Sequence, residues 1–248
     1  MSSQQSAFAP YHAWDRNFFL GFVLLCWFGV VMGFAPASIG RLAGKADYVA
    51  PLVLHVHAVA FVGWLLLLTS QTLLIRRRNL ALHRKLGLIS LALIPVMAVT
   101  AVAAEIYSQR YYLDHPPNSQ AFFIIPLFYI AAFTPLALGA VVMRSKPAAH
   151  KRLILLATTI LIGAAYTRWW GAALTAIVGD GYVGMIINTF TATNLIMLVA
   201  MAYDFATRMQ IHKVYRLTVP AILVGELVTS WLYHSPAWLP VARWIVGR

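Results

Sequence analysis

Three basic turns, each followed by a histidine, hold the side chains of this sequence that are best suited to chemistry. Arg77 lies six residues before His83, and Arg144 lies six residues before His150. Two basic residues and a leucine follow each of these histidines, and a looser third copy contains His212. Because each histidine stands where an apolar segment begins, the repeat predicts that His83 and His150 lie at one depth of a helical bundle and share a role.

Two histidines at the same depth on neighbouring helices suit the binding of a b-type haem, whose iron takes one imidazole on each side. The sequence therefore predicts His83 and His150 as ligands of haem b. Arg77 and Arg144 belong to the adjacent basic residues, which are placed to hold the haem propionates.

In these histidines and basic residues the chain resembles the cytochrome b561-like quinone and ferric reductases, which are membrane helical bundles. The resemblance covers the second to fifth apolar segments and implies electron transfer with quinone or ferric substrates. A two-haem member needs a second histidine pair near the outer side, where this chain has only His57 well placed. The motifs HRKLG and HKRL, with the His-x6-Trp-x6-Gln pattern, are also similar to uncharacterised polytopic bacterial inner-membrane proteins, a likeness that implies no activity.

A second group of ionisable residues lies within the apolar segments. Counting 1.5 Å of helical rise per residue from the basic turns places His57, Glu105 and Arg168 near the outer side, with Glu226 somewhat deeper. The nitrogen and oxygen atoms of His57, Glu105 and Glu226 suit a zinc site with an open water position, or a proton relay. Glu105 and Arg168 are also predicted as a polar pair that neutralises charge without chemistry.

The elements that must position these residues are membrane helices. The chain has 248 residues, of which 61% are hydrophobic and only 10% charged, whereas soluble domains are about half apolar and a quarter charged. Its apolar runs have the length that a helix needs to cross a bilayer. The sequence predicts an all-α polytopic bundle, a single domain over residues 1–248, with seven spans and parallel hairpin repeats. The predicted spans are 17–36, 49–75, 86–107, 121–143, 153–177, 183–203 and 217–234.

The distribution of Lys and Arg predicts the orientation in a bacterial inner membrane. The loops after the second, fourth and sixth spans are the richest in basic residues, so the positive-inside rule places them in the cytoplasm. The N-terminal segment 1–16 is then cytoplasmic, with residues 1–10 expected to be disordered, and the C-terminus is periplasmic after an interfacial tail over 236–248. The net charge of +12 indicates contact with lipid head groups and no binding of nucleic acid.

Two other functions remain open beside haem-based electron transfer. One is a non-catalytic accessory, assembly or sensor role, without a cofactor and with a homo-oligomer or another membrane subunit as partner. The other is metal or proton chemistry at the outer group. The single cysteine, Cys26, excludes a disulfide framework and a thiolate metal cluster. There is no P-loop for nucleotide-driven pumping.

Overall fold

The computed structural model describes residues 8–46, 49–113 and 120–247, and every regular element in these ranges is helical. Two short 3-10 helices cover Gln120–Phe123 and Met143–Ser145. The α-helices are α1 (Asp15–Leu42), α2 (Leu52–Arg76), α3 (Leu80–Gly87), α4 (Ser90–Leu113), α5 (Ile124–Val142), α6 (Pro147–Val178), α7 (Tyr182–Arg208), α8 (Lys213–His234) and α9 (Trp238–Val246). The predicted all-α helical bundle is confirmed.

Six helical segments of the described chain are long and apolar enough to cross a membrane. They are α1, α2, the combined α3–α4 segment, α5 with its flanking 3-10 turns, α6 and α7. The chain is therefore built as a multi-pass membrane protein. At the predicted seventh span the structure has the 22-residue helix α8, which is not one of the six. A seventh span and a parallel hairpin repeat stay predictions.

The third apolar segment contains a helix interruption that hydropathy did not predict. The backbone N–H of Leu88 donates to Lys85 and that of Ile89 donates to Leu86, at 3.3 and 3.1 Å. These i-to-i−3 bonds tighten the chain and separate α3 from α4. His83 therefore lies in the short helix α3, ahead of the long helix that contains Glu105.

Helix α6 is the centre of the bundle, since it is the most deeply buried of the six candidate spans of the described chain. It packs against α1, α5, α7 and α8. Glycines permit the closest approach: a Cβ atom on Gly33 of α1 would overlap the carbonyl oxygen of Ala165, and one on Gly29 would overlap the Tyr166 ring. Small residues at such contacts let two membrane helices touch through their backbones.

Both terminal segments are attached to the bundle. In α9, Trp238 donates from Nε1 to Ala121 at 3.1 Å, and Trp244 on the other face is 78% exposed. The predicted tail is therefore a short helix with one packed and one exposed face, and its position at a membrane interface stays a prediction. At the other terminus, Lys151 donates to the carbonyl oxygen of Pro10 at 2.8 Å. The expectation of disorder is therefore wrong for residues 8–10, and residues 1–7 lie outside the described ranges.

Candidate functional site

Helices α3 and α6 bring His83 and His150 next to one another. The centroids of the two imidazole rings are 6.5 Å apart, and the ring planes are almost perpendicular, at 89°. Both residues are half-buried. They lie at the end of the bundle that carries the turns 77–79, 143–146 and 208–213, which contain basic residues; we call it the basic end.

The backbone fixes the tautomer of His150. Its Nδ1 atom lies 2.8 Å from the carbonyl oxygen of Ala140 in α5. A carbonyl oxygen only accepts, so Nδ1 carries the hydrogen of the neutral ring and Nε2 keeps its lone pair. A histidine held in this way is oriented to bind a metal through Nε2.

A glutamine from α2 contacts the same ring nitrogen of His83, but with the opposite polarity, because its amide nitrogen donates to Nδ1. The side-chain amide of Gln71 contacts Nδ1 of His83. With its nitrogen turned toward the histidine, the amide also donates to the His83 carbonyl oxygen at 3.1 Å and accepts from the Gly87 backbone N–H at 3.2 Å. Gln71 thus connects α2 to α3 and restrains the His83 ring through Nδ1.

The two arginines predicted to hold propionates are exposed at the basic end. Arg144 donates from Nη1 to the carbonyl oxygen of Val141 at 3.3 Å. Within the described ranges neither Arg77 nor Arg144 forms an ion pair. Their charges are therefore not neutralised by a carboxylate of the described chain.

The third histidine of the repeat is used differently. Nδ1 of His212 accepts from the backbone N–H of Val214 at 3.1 Å and caps α8, while the Phe8 ring lies 4.7 Å away, edge to face. Burial, together with the positive charge of Arg152, lowers the pKa of His212 to about 4. His212 therefore serves as a neutral helix cap, apart from the His83–His150 pair.

Sequence reasoning missed a charged network beside these histidines. Arg152 of α6 forms a two-bond ion pair with Asp204 of α7, and both side chains are almost fully buried. Asp15 of α1 accepts from Lys151 at 2.6 Å and from Arg208 at 2.9 Å. We call these five residues the basic-end network. Arg152 stands near the start of α6 and Asp204 near the end of α7, and these positions alone do not show that the two side chains pair.

The outer group of ionisable residues is arranged less tightly. Nδ1 of His57 is buried without a hydrogen-bond partner, and the ring lies 4.2 Å from Phe61, centroid to centroid. His55, two residues earlier, is exposed. His57 therefore faces into the bundle more than His55 does.

Glu105 and Arg168 each have other neighbours. Glu105 accepts from Nε2 of Gln109 at 2.7 Å. Arg168 donates to the carbonyl oxygen of Ala164 at 3.1 Å, and its guanidinium lies 4.8 Å from the centroid of the Phe34 ring. The described residues contain no Glu105–Arg168 ion pair. The two side chains still interact electrostatically, without a direct contact between them.

Glu226 is 2% exposed and accepts from Nδ2 of Asn194 in α7 at 2.9 Å. In the described part of the chain, no group of three or more His, Cys, Asp or Glu residues is arranged to hold a metal ion. The predicted zinc ligands His57, Glu105 and Glu226 therefore do not form such a group. Asn194 was not predicted as a site residue, because an amide within an apolar segment carries no charge to single it out.

Comparison with known proteins found no matching family model, no matching curated protein and no matching solved structure. A function for this chain is therefore inferred from the arrangement of its own residues.

Proposed function

We propose that this chain is an integral membrane electron-transfer protein that binds one b-type haem between His83 and His150. The supporting observation is the 6.5 Å separation of their ring centroids. An imidazole nitrogen binds a first-row metal ion at about 2.0 to 2.1 Å, so two rings on opposite sides of one metal have centroids about 6 to 7 Å apart. The bound haem would supply a centre that takes up and releases one electron.

The partner of His150 agrees with this role, whereas that of His83 has to turn round. Metal-binding histidines commonly donate from Nδ1 to a backbone carbonyl or a side-chain oxygen, which orients the ring and leaves Nε2 for the metal. Ala140 provides that carbonyl for His150, and the Gln71 amide contacts Nδ1 of His83. For His83 to bind a metal through Nε2, the amide oxygen of Gln71 would have to face Nδ1, which is the reverse of its orientation in this structure.

The charge of the basic end supplies the remaining support. Arg77 and Arg144 are exposed there, without ion-pair partners in the described chain, and are placed to hold the propionates. With these loops in the cytoplasm of a bacterial inner membrane, electrons would enter or leave from quinone in the bilayer or from ferric ions. A homo-oligomer or a second membrane subunit would provide the partner surface.

The test is a reduced-minus-oxidised visible spectrum of protein expressed with added haem precursor and purified in detergent. We expect a Soret band and a sharp α-band in the wild type, with at least a tenfold loss of bound haem in His83→Ala and in His150→Ala. His55→Ala is the matched control, because this histidine is exposed on α2 and should leave the spectrum unchanged. The perpendicular rings further predict a strongly axial low-spin signal in the ferric electron paramagnetic resonance spectrum.

Two results would overturn the proposal. One is a folded, haem-supplemented protein without a chromophore, which would favour the non-catalytic membrane role. The other is a chromophore that survives both alanine substitutions. Gln71→Leu sharpens the test, since removal of the amide beside Nδ1 should shift the midpoint potential while haem remains bound.

A further inference from the structure

A buried acid–amide contact between α7 and α8 is separate from the histidine pair. The carboxylate of Glu226 accepts from Nδ2 of Asn194 at 2.9 Å through Oε2. Its second oxygen, Oε1, is buried without a partner, and so is Oδ1 of Asn194. The contact thus has one hydrogen bond and two buried acceptor atoms that no donor of the described chain reaches.

No positive charge of the described chain compensates Glu226. It takes part in no ion pair. Tyr129 of α5 is the titratable group that interacts electrostatically with it, and Arg168 of α6 is engaged with Ala164 and Phe34. Tyr166 lies within α6, and the other ionisable residues of the adjacent helices stand at or near helix ends: Tyr182, Tyr203, Asp204 and Arg208 on α7, His150, Lys151 and Arg152 on α6, and Arg243 on α9.

An ionised carboxylate in this position would be costly. A buried charge without a counter-charge costs several kcal/mol in a membrane interior, and each unpaired buried acceptor adds to the cost. Protonation removes the charge and turns one carboxyl oxygen from an acceptor into a donor. A single proton on Oε1 can then satisfy two unpartnered atoms, because the new O–H donates to Oδ1 of Asn194 while the existing N–H···Oε2 bond remains.

We propose that Glu226 and Asn194 form a proton-binding site inside the helical bundle. The ligand is a proton, held on Oε1 of Glu226 at neutral pH. With this proton, Glu226 and Asn194 are joined by two hydrogen bonds, one donated by each side chain. Loss of the proton leaves a charge and two acceptors at the α7–α8 contact, so deprotonation requires this contact to open to water. The site therefore couples proton binding to the packing of α8 against α7.

Infrared spectroscopy of the full-length protein tests this directly, because the carbonyl stretch of a protonated carboxyl is separate from the amide absorption. We expect the wild type at pH 7 to show a protonated-carboxyl band that is absent from Glu226→Gln. Glutamine should preserve the fold, since its NH2 group can donate to Asn194 Oδ1 as the protonated acid does. Glu105→Gln is the matched control and should leave the Glu226 band in place.

A second variant keeps the test decisive if Glu226→Gln does not fold. Asn194→Leu retains the carboxyl and removes its hydrogen-bond partner, so the Glu226 band should shift to higher frequency. Absence of any Glu226 band at pH 7 would overturn the proposal. Its disappearance when choline is replaced by sodium would also overturn it, because the site would then hold a monovalent cation. None of these outcomes depends on haem.

Discussion

The basic end and the interior of the bundle differ in whether their buried polar groups have hydrogen-bond partners. At the basic end, Arg152 and Asp204 are 2% and 1% exposed and satisfy one another with two hydrogen bonds. Deeper in the bundle, Nδ1 of His57 and Oε1 of Glu226 are buried without partners. The first region is held together by its own charges, whereas the second has hydrogen-bonding capacity that nothing in the described chain uses.

This difference distinguishes polar groups that stabilise the fold from polar groups that are available to bind a ligand or a proton. Almost all buried polar atoms in folded proteins are hydrogen-bonded, so an unpaired one calls for a specific explanation such as an absent ligand, proton or water. The basic-end network needs no such addition. We therefore assign the network to holding α1, α6 and α7 together, and expect the largest losses of stability where it is broken.

Asp204→Asn should give the largest effect on stability. The substitution leaves Arg152 buried opposite a neutral group, and breaking a buried ion pair from one side costs about 3 to 5 kcal/mol. The measurement is the free energy of unfolding in mixed micelles during denaturation by sodium dodecyl sulfate. The control is the double variant Arg152→Met with Asp204→Asn, which should lose less than the sum of the two single variants. Additive losses would show that the two side chains are not energetically coupled.

The sequence anticipated the helices and part of the site because both leave local signals. Apolar runs of sufficient length predict membrane helices, and the repeated Arg-x5-His spacing placed His83 and His150 at one depth. The contact of Asp15 with Lys151 was not predictable in the same way, since 136 residues separate them. Hydropathy gives the depth of a residue, but not which helices are neighbours or which direction a side chain faces. Glu105 and Arg168 illustrate this limit, because they interact electrostatically but form no direct ion pair in the described chain.

His212, at the basic end, should make the stability of the protein depend on pH. Its folded-state pKa of about 4 is below the ordinary value of about 6.5, so the unfolded chain binds more protons in this window and stability falls as the pH falls. Between pH 7.5 and pH 5 the loss is about 2 kcal/mol by this linkage. The same unfolding measurement at the two pH values checks it.

His212→Asn is the matched variant for this prediction. Asparagine can also accept from the Val214 N–H as an N-cap, but it does not titrate. The pH-dependent loss in the variant should be smaller than in the wild type by the His212 contribution. An equal loss in both proteins would assign the acid sensitivity to other groups and not to this cap.

The last comparison concerns a neutral pair in the interior whose two side chains are hydrogen-bonded to one another. Nε1 of Trp64 donates to Oγ1 of Thr158 at 3.1 Å, and both side chains are buried. Trp64→Phe removes the donor and should cost about 1 to 3 kcal/mol, since it leaves a buried hydroxyl with fewer partners and a small void.

Thr158→Val in the Trp64→Phe background removes the hydroxyl as well. Replacing both partners by apolar groups is often nearly neutral, so the second substitution should recover part of the loss. Recovery would show that a buried polar side chain in the interior lowers stability only when its hydrogen-bond partner is missing. A paired interior group would then resemble the paired charges of the basic-end network. The unpartnered atoms of His57 and Glu226 would then stand out for their missing partners and not for their position. If stability is not recovered, the loss in Trp64→Phe comes from lost packing and not from an unpaired hydroxyl. The basic end and the interior would then differ in stability only through their charged groups.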